Sequence, residues 1–348
     1  MTTPSVSRRT FVGRSIGGAF GLSWLGNNTS SLFAAAPSVH RSTAQETFAG
    51  IFPIVQTPFF EDESIDLETF TREVDFIIEA GGHGLVWPQN ASEFQVLTDE
   101  ERYELGELLV RQADGRRPVI LGVQSTNFWK TSLDFARHAE SIGADGIIAL
   151  PPYQISPTVE QVLEFYQTLA RSVSLPIFIQ NSGGAQGPAM PVDMMIDLAR
   201  EYPQVAYIKE EARPVLERIT ELTDKGEGVI KGVFSGAGGT RLIEELDTGS
   251  RGSCPSSGMV DVFARVFDMY ERGEREEAEE VFEGLRPMFS ARTGGHWLFK
   301  EKEILRRRGI FPTALTRITG DLVWPDEETK AAFDEAYAAI EPLFTWHA

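Results

Sequence analysis

The chain has 348 residues, with 51 acidic against 32 basic side chains and a net charge of −19. With 42% hydrophobic and 24% charged residues, its composition is that of a globular protein and excludes collagen-like, coiled-coil and disordered classes; so negative a surface repels phosphate backbones and argues against a nucleic-acid partner. The single cysteine, Cys254, excludes an intrachain disulfide framework and a multi-cysteine zinc site.

Residues 7–12 read Ser-Arg-Arg-Thr-Phe-Val, a weakly apolar, Gly-rich stretch runs from Ile16 to Leu25, and Phe33-Ala34-Ala35-Ala36 ends it. No Asp or Glu precedes Glu46. A basic head, a short apolar middle and a small-residue tail are the parts of an export signal, and the paired Arg8-Arg9 resemble the twin-arginine type. Residues 1–36 are therefore expected to be an export signal and 37–48 a linker, placing the mature protein in a bacterial periplasm or cell envelope. If Arg8-Arg9 is only part of a plain tail, the protein stays cytoplasmic. The apolar middle is too short and too Gly-rich for a stable membrane span.

From residue 49 short apolar runs alternate with amphipathic ones. Strands are predicted at Ile51–Gln56, Gly84–Trp87, Pro118–Gly122, Gly146–Leu150, Pro176–Asn181, Val205–Lys209, Val229–Phe234 and Gly249–Cys254. Helices are predicted between them at Leu67–Ala80, Thr98–Gln112, Thr131–Ile142, Thr158–Val173, Val192–Arg200, Val215–Asp224, Thr240–Leu246 and Val260–Arg272. Leu105, Leu108 and Leu109 show the spacing of one apolar helix face. Ile147-Ile148-Ala149-Leu150 is apolar throughout, as suits a parallel strand buried on both faces. Eight strand–helix units predict a closed (β/α)8 TIM barrel over 49–273. An open doubly wound sheet is the alternative, but Thr57-Pro58-Phe59-Phe60 after the first strand carries no Gly-rich dinucleotide loop. A helical extension follows over 274–348, with helices at Arg275–Met288, His296–Arg308 and Glu327–Leu343.

Active sites of such barrels lie at the C-terminal ends of the strands. Lys209 ends the apolar run Val205-Ala206-Tyr207-Ile208 and should point into the barrel mouth. Burial disfavours a charged amine, and a neutral lysine attacks a ketone to form a Schiff base. The alternative is a lysine ion-paired with Glu210 or Glu211 at the barrel rim. The histidines have no metal-ligand spacing, so no metal is expected. Cys254 reads as a small core residue.

Several segments together resemble the dihydrodipicolinate synthase / N-acetylneuraminate lyase family: Thr57-Pro58-Phe59, Gly122 to Asn127, Gly143-Ala144-Asp145-Gly146, Pro152-Tyr153 with Pro157-Thr158, and Ile208-Lys209-Glu210. The resemblance runs from Gly50 to Phe344. It implies 2-oxo-acid substrates, no metal or organic cofactor, a homo-oligomer (tetramer or dimer) and Lys209 as the imine lysine. Thr57, Ser235 and Gly236 are expected at the substrate. The family's Gly-Thr-Thr-Gly-Glu turn stands here as Gln89-Asn90-Ala91-Ser92-Glu93. The resemblance implies that amides of Ala91 and Ser92 and the Ser92 hydroxyl hold the substrate carboxylate, with Asn90 in place of a relay threonine. Gln180 replaces the usual fifth-strand tyrosine, and Ala185 the arginine that in dihydrodipicolinate synthases binds the aldehyde substrate.

Ile179-Gln180-Asn181 and Lys209-Glu210-Glu211-Ala212 resemble a branch that includes 2-keto-3-deoxy sugar-acid dehydratases. The expected activity is thus a Schiff-base lyase that dehydrates or cleaves such an acid, with Lys209, Tyr153, Gln180 and Glu93 catalytic and Asn181 at the substrate. The base is Glu93, Glu210 or a water held by Tyr153 and Gln180; alternatively, Glu93 is a buried carboxylate bonding loop amides. The alternatives for the whole protein are condensation of pyruvate with an aldehyde, and a scaffold that binds 2-oxo acids without turnover.

Overall fold

A computed structural model describes residues 47–125, 128–318 and 324–347. The expected export signal, most of the linker, and Thr126 and Asn127 of the third-strand motif lie outside the described residues. Eight parallel strands alternate with helices: β1 (Gly50–Ile51), α1 (Leu67–Glu79), β2 (Leu85–Trp87), α2 (Asp99–Ala113), β3 (Val119–Gly122), α3 (Trp129–Ser141), β4 (Gly146–Ala149), α4 (Val159–Ser172), β5 (Ile177–Asn181), α5 (Val192–Glu201), β6 (Val205–Glu210), α6 (Val215–Lys225), β7 (Gly232–Ser235), α7 (Leu242–Asp247), β8 (Gly252–Ser253) and α8 (Val260–Glu271). The extension adds α9 (Arg275–Glu283), α10 (Arg286–Ala291), α11 (Trp297–Arg307) and α12 (Glu327–Ile340).

Each strand pairs with its sequence neighbours, and β8 returns to β1 through Gly50–Gly252 and Ile51–Ser253. The seam between β1 and β2 is closed by an Ile54–Val86 bridge and by N–H donation from Val55 to the Val86 carbonyl at 2.9 Å. The sheet is therefore the expected (β/α)8 barrel. Its first strand is shorter than predicted because Pro53 has no N–H to give the ladder. Gly252 permits the β8–β1 contact, since a Cβ there would lie 1.9 Å from the Gly50 carbonyl oxygen. The predicted helix at Arg275–Met288 is two helices, α9 and α10. Pro287 sits in the first turn of α10, where its missing N–H costs nothing, whereas a continuous helix would lose a bond there.

Alternation along the strands sorts the core into two layers. Phe52, Val86, Ile120, Ile148, Phe178 and Phe234 fill the barrel, and Ile51, Leu85, Val119, Ile147, Ile177 and Val233 face the helices. Phe48 closes the N-terminal end: its N–H donates to Tyr207 Oη at 3.0 Å, and its ring lies 5.1 Å from that of Tyr207 and 6.1 Å from that of Phe178. The opposite end opens into a cavity.

Candidate active site

Tyr207 points into the barrel, so alternation along β6 turns Lys209 and Glu211 inward and Glu210 outward. Lys209 lies on the cavity wall with 4% of its side chain exposed, and its Nζ is 3.5 Å from Glu211 Oε1. The ion partner within the barrel is thus Glu211. Glu211 accepts from Gln180 Nε2 at 2.7 Å, Ser182 Oγ at 3.0 Å and the Ala237 N–H at 3.2 Å. Burial works against its charge, but Lys209 and these donors outweigh burial and hold the carboxyl below its usual range. Gly236 leaves the room this requires, since a Cβ there would meet Glu211 Oε1 at 2.0 Å.

The cavity has a volume of about 570 Å³. One wall is the turn after β2, where Gln89, Asn90 and Ala91 line it. Thr57 and Ser92 support that wall from behind. Thr57 Oγ1 donates to the Ser92 carbonyl at 2.8 Å, the Ser92 N–H donates to the Gln89 carbonyl at 3.0 Å, and Ser92 Oγ donates to the Val55 carbonyl and accepts from Gln89 N–H at 3.0 Å. Their hydroxyls are committed to the turn and face no cavity. Cys254 also lines the cavity, its thiol pushed up to about 12 by burial, so it remains a thiol and a wall residue.

Other expected site residues are placed elsewhere. Glu93 is fully buried and does not line the cavity: it pairs with Lys302 of α11 and accepts the N–H groups of Arg317 at 2.8 Å and Ile318 at 3.1 Å. This is the arrangement of a carboxylate bonding loop amides, and it removes Glu93 from the candidates for the base. Burial pulls Lys302 below the ordinary ammonium range, although Glu93 opposes that. Glu210 is likewise turned outward, bonded to Asn181 Nδ2 at 2.9 Å, Arg218 at 3.1 Å and the Ala212 N–H at 2.8 Å. Asn181 goes with it, its Oδ1 accepting the Met190 N–H at 2.8 Å; since Gln180 faces inward, its successor cannot. Ser235 is buried beside Glu245 of α7, whose carboxyl burial pushes up to about 7. Tyr153 begins a short turn after β4 and is not part of the cavity wall.

The opposite wall comes from the extension, which the sequence reading did not connect to the site. Arg292, Thr293 and Gly294 after α10, and Trp297, Leu298 and Glu301 of α11, line the cavity. Among the described residues no three His, Cys, Asp or Glu side chains are grouped as a metal site, and no helix is long and apolar enough to cross a membrane.

Comparison with known proteins agrees with this architecture. A dehydratase of Azospirillum brasilense, named for L-2-keto-3-deoxyarabonate, is 28% identical over 87% of this chain and 97% of its own length. A 4-hydroxy-tetrahydrodipicolinate synthase of Oceanobacillus iheyensis is 28% identical over 69% of this chain and 81% of its own. A protein of Escherichia coli, described as a probable 2-dehydro-3-deoxy-D-pentonate aldolase, is 32% identical over 47% of this chain and 54% of its own. The crystal structure of dihydrodipicolinate synthase from Thermotoga maritima superposes with a TM-score of 0.77 at 25% identity, over 84% of this chain and 98% of that one. The dihydrodipicolinate synthetase family matches residues 47–318, which spans the whole barrel, Lys209 included, and the extension through α11, and the chain belongs to that family.

Proposed function

We propose that the protein is a Schiff-base-forming lyase that acts through Lys209 on a 2-keto-3-deoxy sugar acid. The observation that carries this is a lysine inside the barrel mouth, on the wall of a cavity of about 570 Å³, with an ionised carboxylate 3.5 Å away. The similarity to the A. brasilense dehydratase over nearly its full length supports the substrate class.

In this reading Lys209 passes a proton to Glu211, its freed amine attacks the C2 carbonyl carbon, the carbonyl oxygen takes up protons and leaves as water, and a C2 iminium remains. Loss of the C3 proton puts that electron pair into an enamine. The enamine expels the C4 hydroxyl, which leaves with its bonding pair and gains a proton as water, and C3=C4 forms. In cleavage the C4 hydroxyl loses its proton and the C3–C4 bond breaks, giving an aldehyde and the enamine of pyruvate. Glu211 is the carboxylate within reach of the reacting nitrogen and takes the proton-transfer role, with Gln180 holding it in place. Asn90 and the Ala91 backbone face the acid's carboxylate end.

Borohydride trapping tests this. Incubation with pyruvate or a 2-keto-3-deoxy acid, reduction and intact-mass measurement should give an adduct that maps to Lys209 and is absent in Lys209→Ala. No adduct from any acid would sink the proposal and favour binding without turnover. Relatives named 4-hydroxy-tetrahydrodipicolinate synthase favour a second reading, condensation of pyruvate with an aldehyde. Ala185 speaks against it, and an assay with pyruvate and aspartate semialdehyde separates the two.

The proposal includes export by the twin-arginine route, supported by Arg8-Arg9 and the Ala34-Ala35-Ala36 tail. Fusing residues 1–36 to a reporter, with Arg8→Lys and Arg9→Lys as control, tests it. It also includes a homo-oligomer, read out by light scattering.

A further inference from the structure

Four charge-bearing side chains line the cavity: Lys209 on β6 and Glu211 just after it, and Arg292 and Glu301 on the extension. The chemistry above uses the first pair and leaves the second without a task. The Arg292–Glu301 pair is buried, with side chains 3% and 6% exposed and Nη1 donating to Oε1 at 2.8 Å. A buried ion pair adds little stability over a well-packed apolar wall, so its presence on a cavity surface points to recognition.

Arg292 is held firmly. Its Nη2 donates to the Gly238 carbonyl, and the Phe289 ring lies 5.2 Å from the guanidinium carbon. Gly238 is needed there, with φ of +68° and a Cβ that would come within 2.7 Å of Arg292 Nη2. Glu301 Oε2, in contrast, is buried with no hydrogen-bond partner among the described residues. The pair therefore holds a buried, unpartnered acceptor beside the guanidinium N–H groups that Glu301 and Gly238 do not use. Thr240 and Thr293 stand beside it on the same wall. Adjacent donor and acceptor with no net charge match vicinal hydroxyls, which both give and take hydrogen bonds. A second carboxylate would find the arginine's charge already matched and would face Glu301 Oε2.

We infer that Arg292 and Glu301 form a distal subsite that binds the hydroxyl-bearing end of the substrate and rejects a second carboxylate. This makes them specificity-determining residues, and it rests on the reading of Lys209 as the imine lysine. The preferred substrates are then monocarboxylic 2-keto-3-deoxy acids with a polyol tail, and 2-keto-3-deoxyaldarates are excluded.

The test compares borohydride trapping of three acids on the full chain: pyruvate, which has no tail, a 2-keto-3-deoxypentonate and a 2-keto-3-deoxyaldarate. The wild type should trap the pentonate at least ~10-fold more efficiently than the aldarate, the size of effect expected where like charges are juxtaposed. Glu301→Gln removes the repulsion and frees Arg292, and should shrink that ratio ~10-fold. Arg292→Met should raise the concentration of pentonate needed for half-maximal trapping. No pyruvate adduct in the wild type would overturn the Lys209 reading, and this inference with it. A pyruvate adduct with equal trapping of pentonate and aldarate would overturn the subsite alone, and the wild-type comparison decides this even if neither variant folds. A Glu301→Gln protein that folds and keeps the wild-type ratio would overturn it as well.

Discussion

Glu93→Gln separates a carboxylate that holds the fold from one that takes part in the chemistry. Glu93 and Lys302 are both at 0% side-chain exposure, so water cannot replace a lost partner. The carboxylate accepts three donors: Lys302 Nζ, the Arg317 N–H at 2.8 Å and the Ile318 N–H at 3.1 Å. Glutamine keeps one oxygen for the two amides but turns an NH2 group on the lysine. Lys302 is then left with the Leu315 carbonyl at 2.7 Å and the Phe59 ring at 4.5 Å. Breaking a buried ion pair from one side costs about 3–5 kcal/mol, a large fraction of the ~5–15 kcal/mol that holds a domain together.

The assay is urea unfolding of wild type, Glu93→Gln, Lys302→Met and the double variant. With a slope of ~1–3 kcal/mol/M, each single change should lower the midpoint by about 1 M or more. The double variant buries no charge, and its loss should fall short of the summed single losses by ~1–3 kcal/mol. The reasoning is refuted if Glu93→Gln loses less than ~0.5 kcal/mol, the scale of an ordinary surface change, while imine trapping falls ~100-fold. That result would return Glu93 to the chemistry.

Gly236→Ala places a methyl where Glu211 Oε1 now sits, 2.0 Å away; displacing the carboxylate by about 1 Å should slow imine formation ~100-fold in single-turnover trapping, and an unchanged rate would remove Glu211 from the mechanism. Phe48→Ala opens the lower end of the barrel and should cost ~3–5 kcal/mol in urea unfolding; a loss under ~1 kcal/mol would show that Phe48 closes nothing of consequence. Glu73 is pushed up to about 8 by burial, against the opposing Ser257 hydroxyl, Gln56 N–H and Lys302. Its folded value lies above its unfolded one of ~4.3, so its contribution is full below the unfolded value and is lost as pH rises toward 8. Glu73→Gln should therefore gain on the wild type in urea midpoint as pH rises from 5 to 8 and level off above; parallel curves would refute this.

The barrel was legible because its signal is local. Each strand is a short apolar run and each helix a 3.6-residue stripe, and neither needs distant partners to be read. Lys209 followed from ending one such run. The same alternation carries further than motif order. With Tyr207 and Lys209 facing inward, Glu211 must face inward and Glu210 outward; with Gln180 and Phe234 inward, Asn181 and Ser235 must face the helices. Matching segments to a family pattern hides this parity, because a motif groups residues that lie on opposite faces of one strand. Glu93 was legible only as one of two readings, the carboxylate bonding loop amides, and its partners were not. Its partners Lys302 and Arg317 are 209 and 224 residues away, and no local pattern marks a side chain whose environment is assembled from such distances.

The extension shows why the site and the fold depend on each other here. Successive residues of an α-helix point about 100° apart, so Glu301, Lys302 and Glu303 of α11 leave it in three directions. Glu301 faces the cavity, Lys302 reaches Glu93 behind the turn after β2, and Glu303 pairs with Arg306 and Arg307 along the helix itself. The turn that Lys302 pins carries Asn90 and Ala91, which form the wall opposite Glu301. One helix thus supplies one wall of the cavity and anchors the other, and both walls are referenced to the same rigid element. A change at Lys302 should therefore alter recognition at a distance from it, through the position of the Asn90–Ser92 turn, even though its ammonium group contacts neither the cavity nor Lys209.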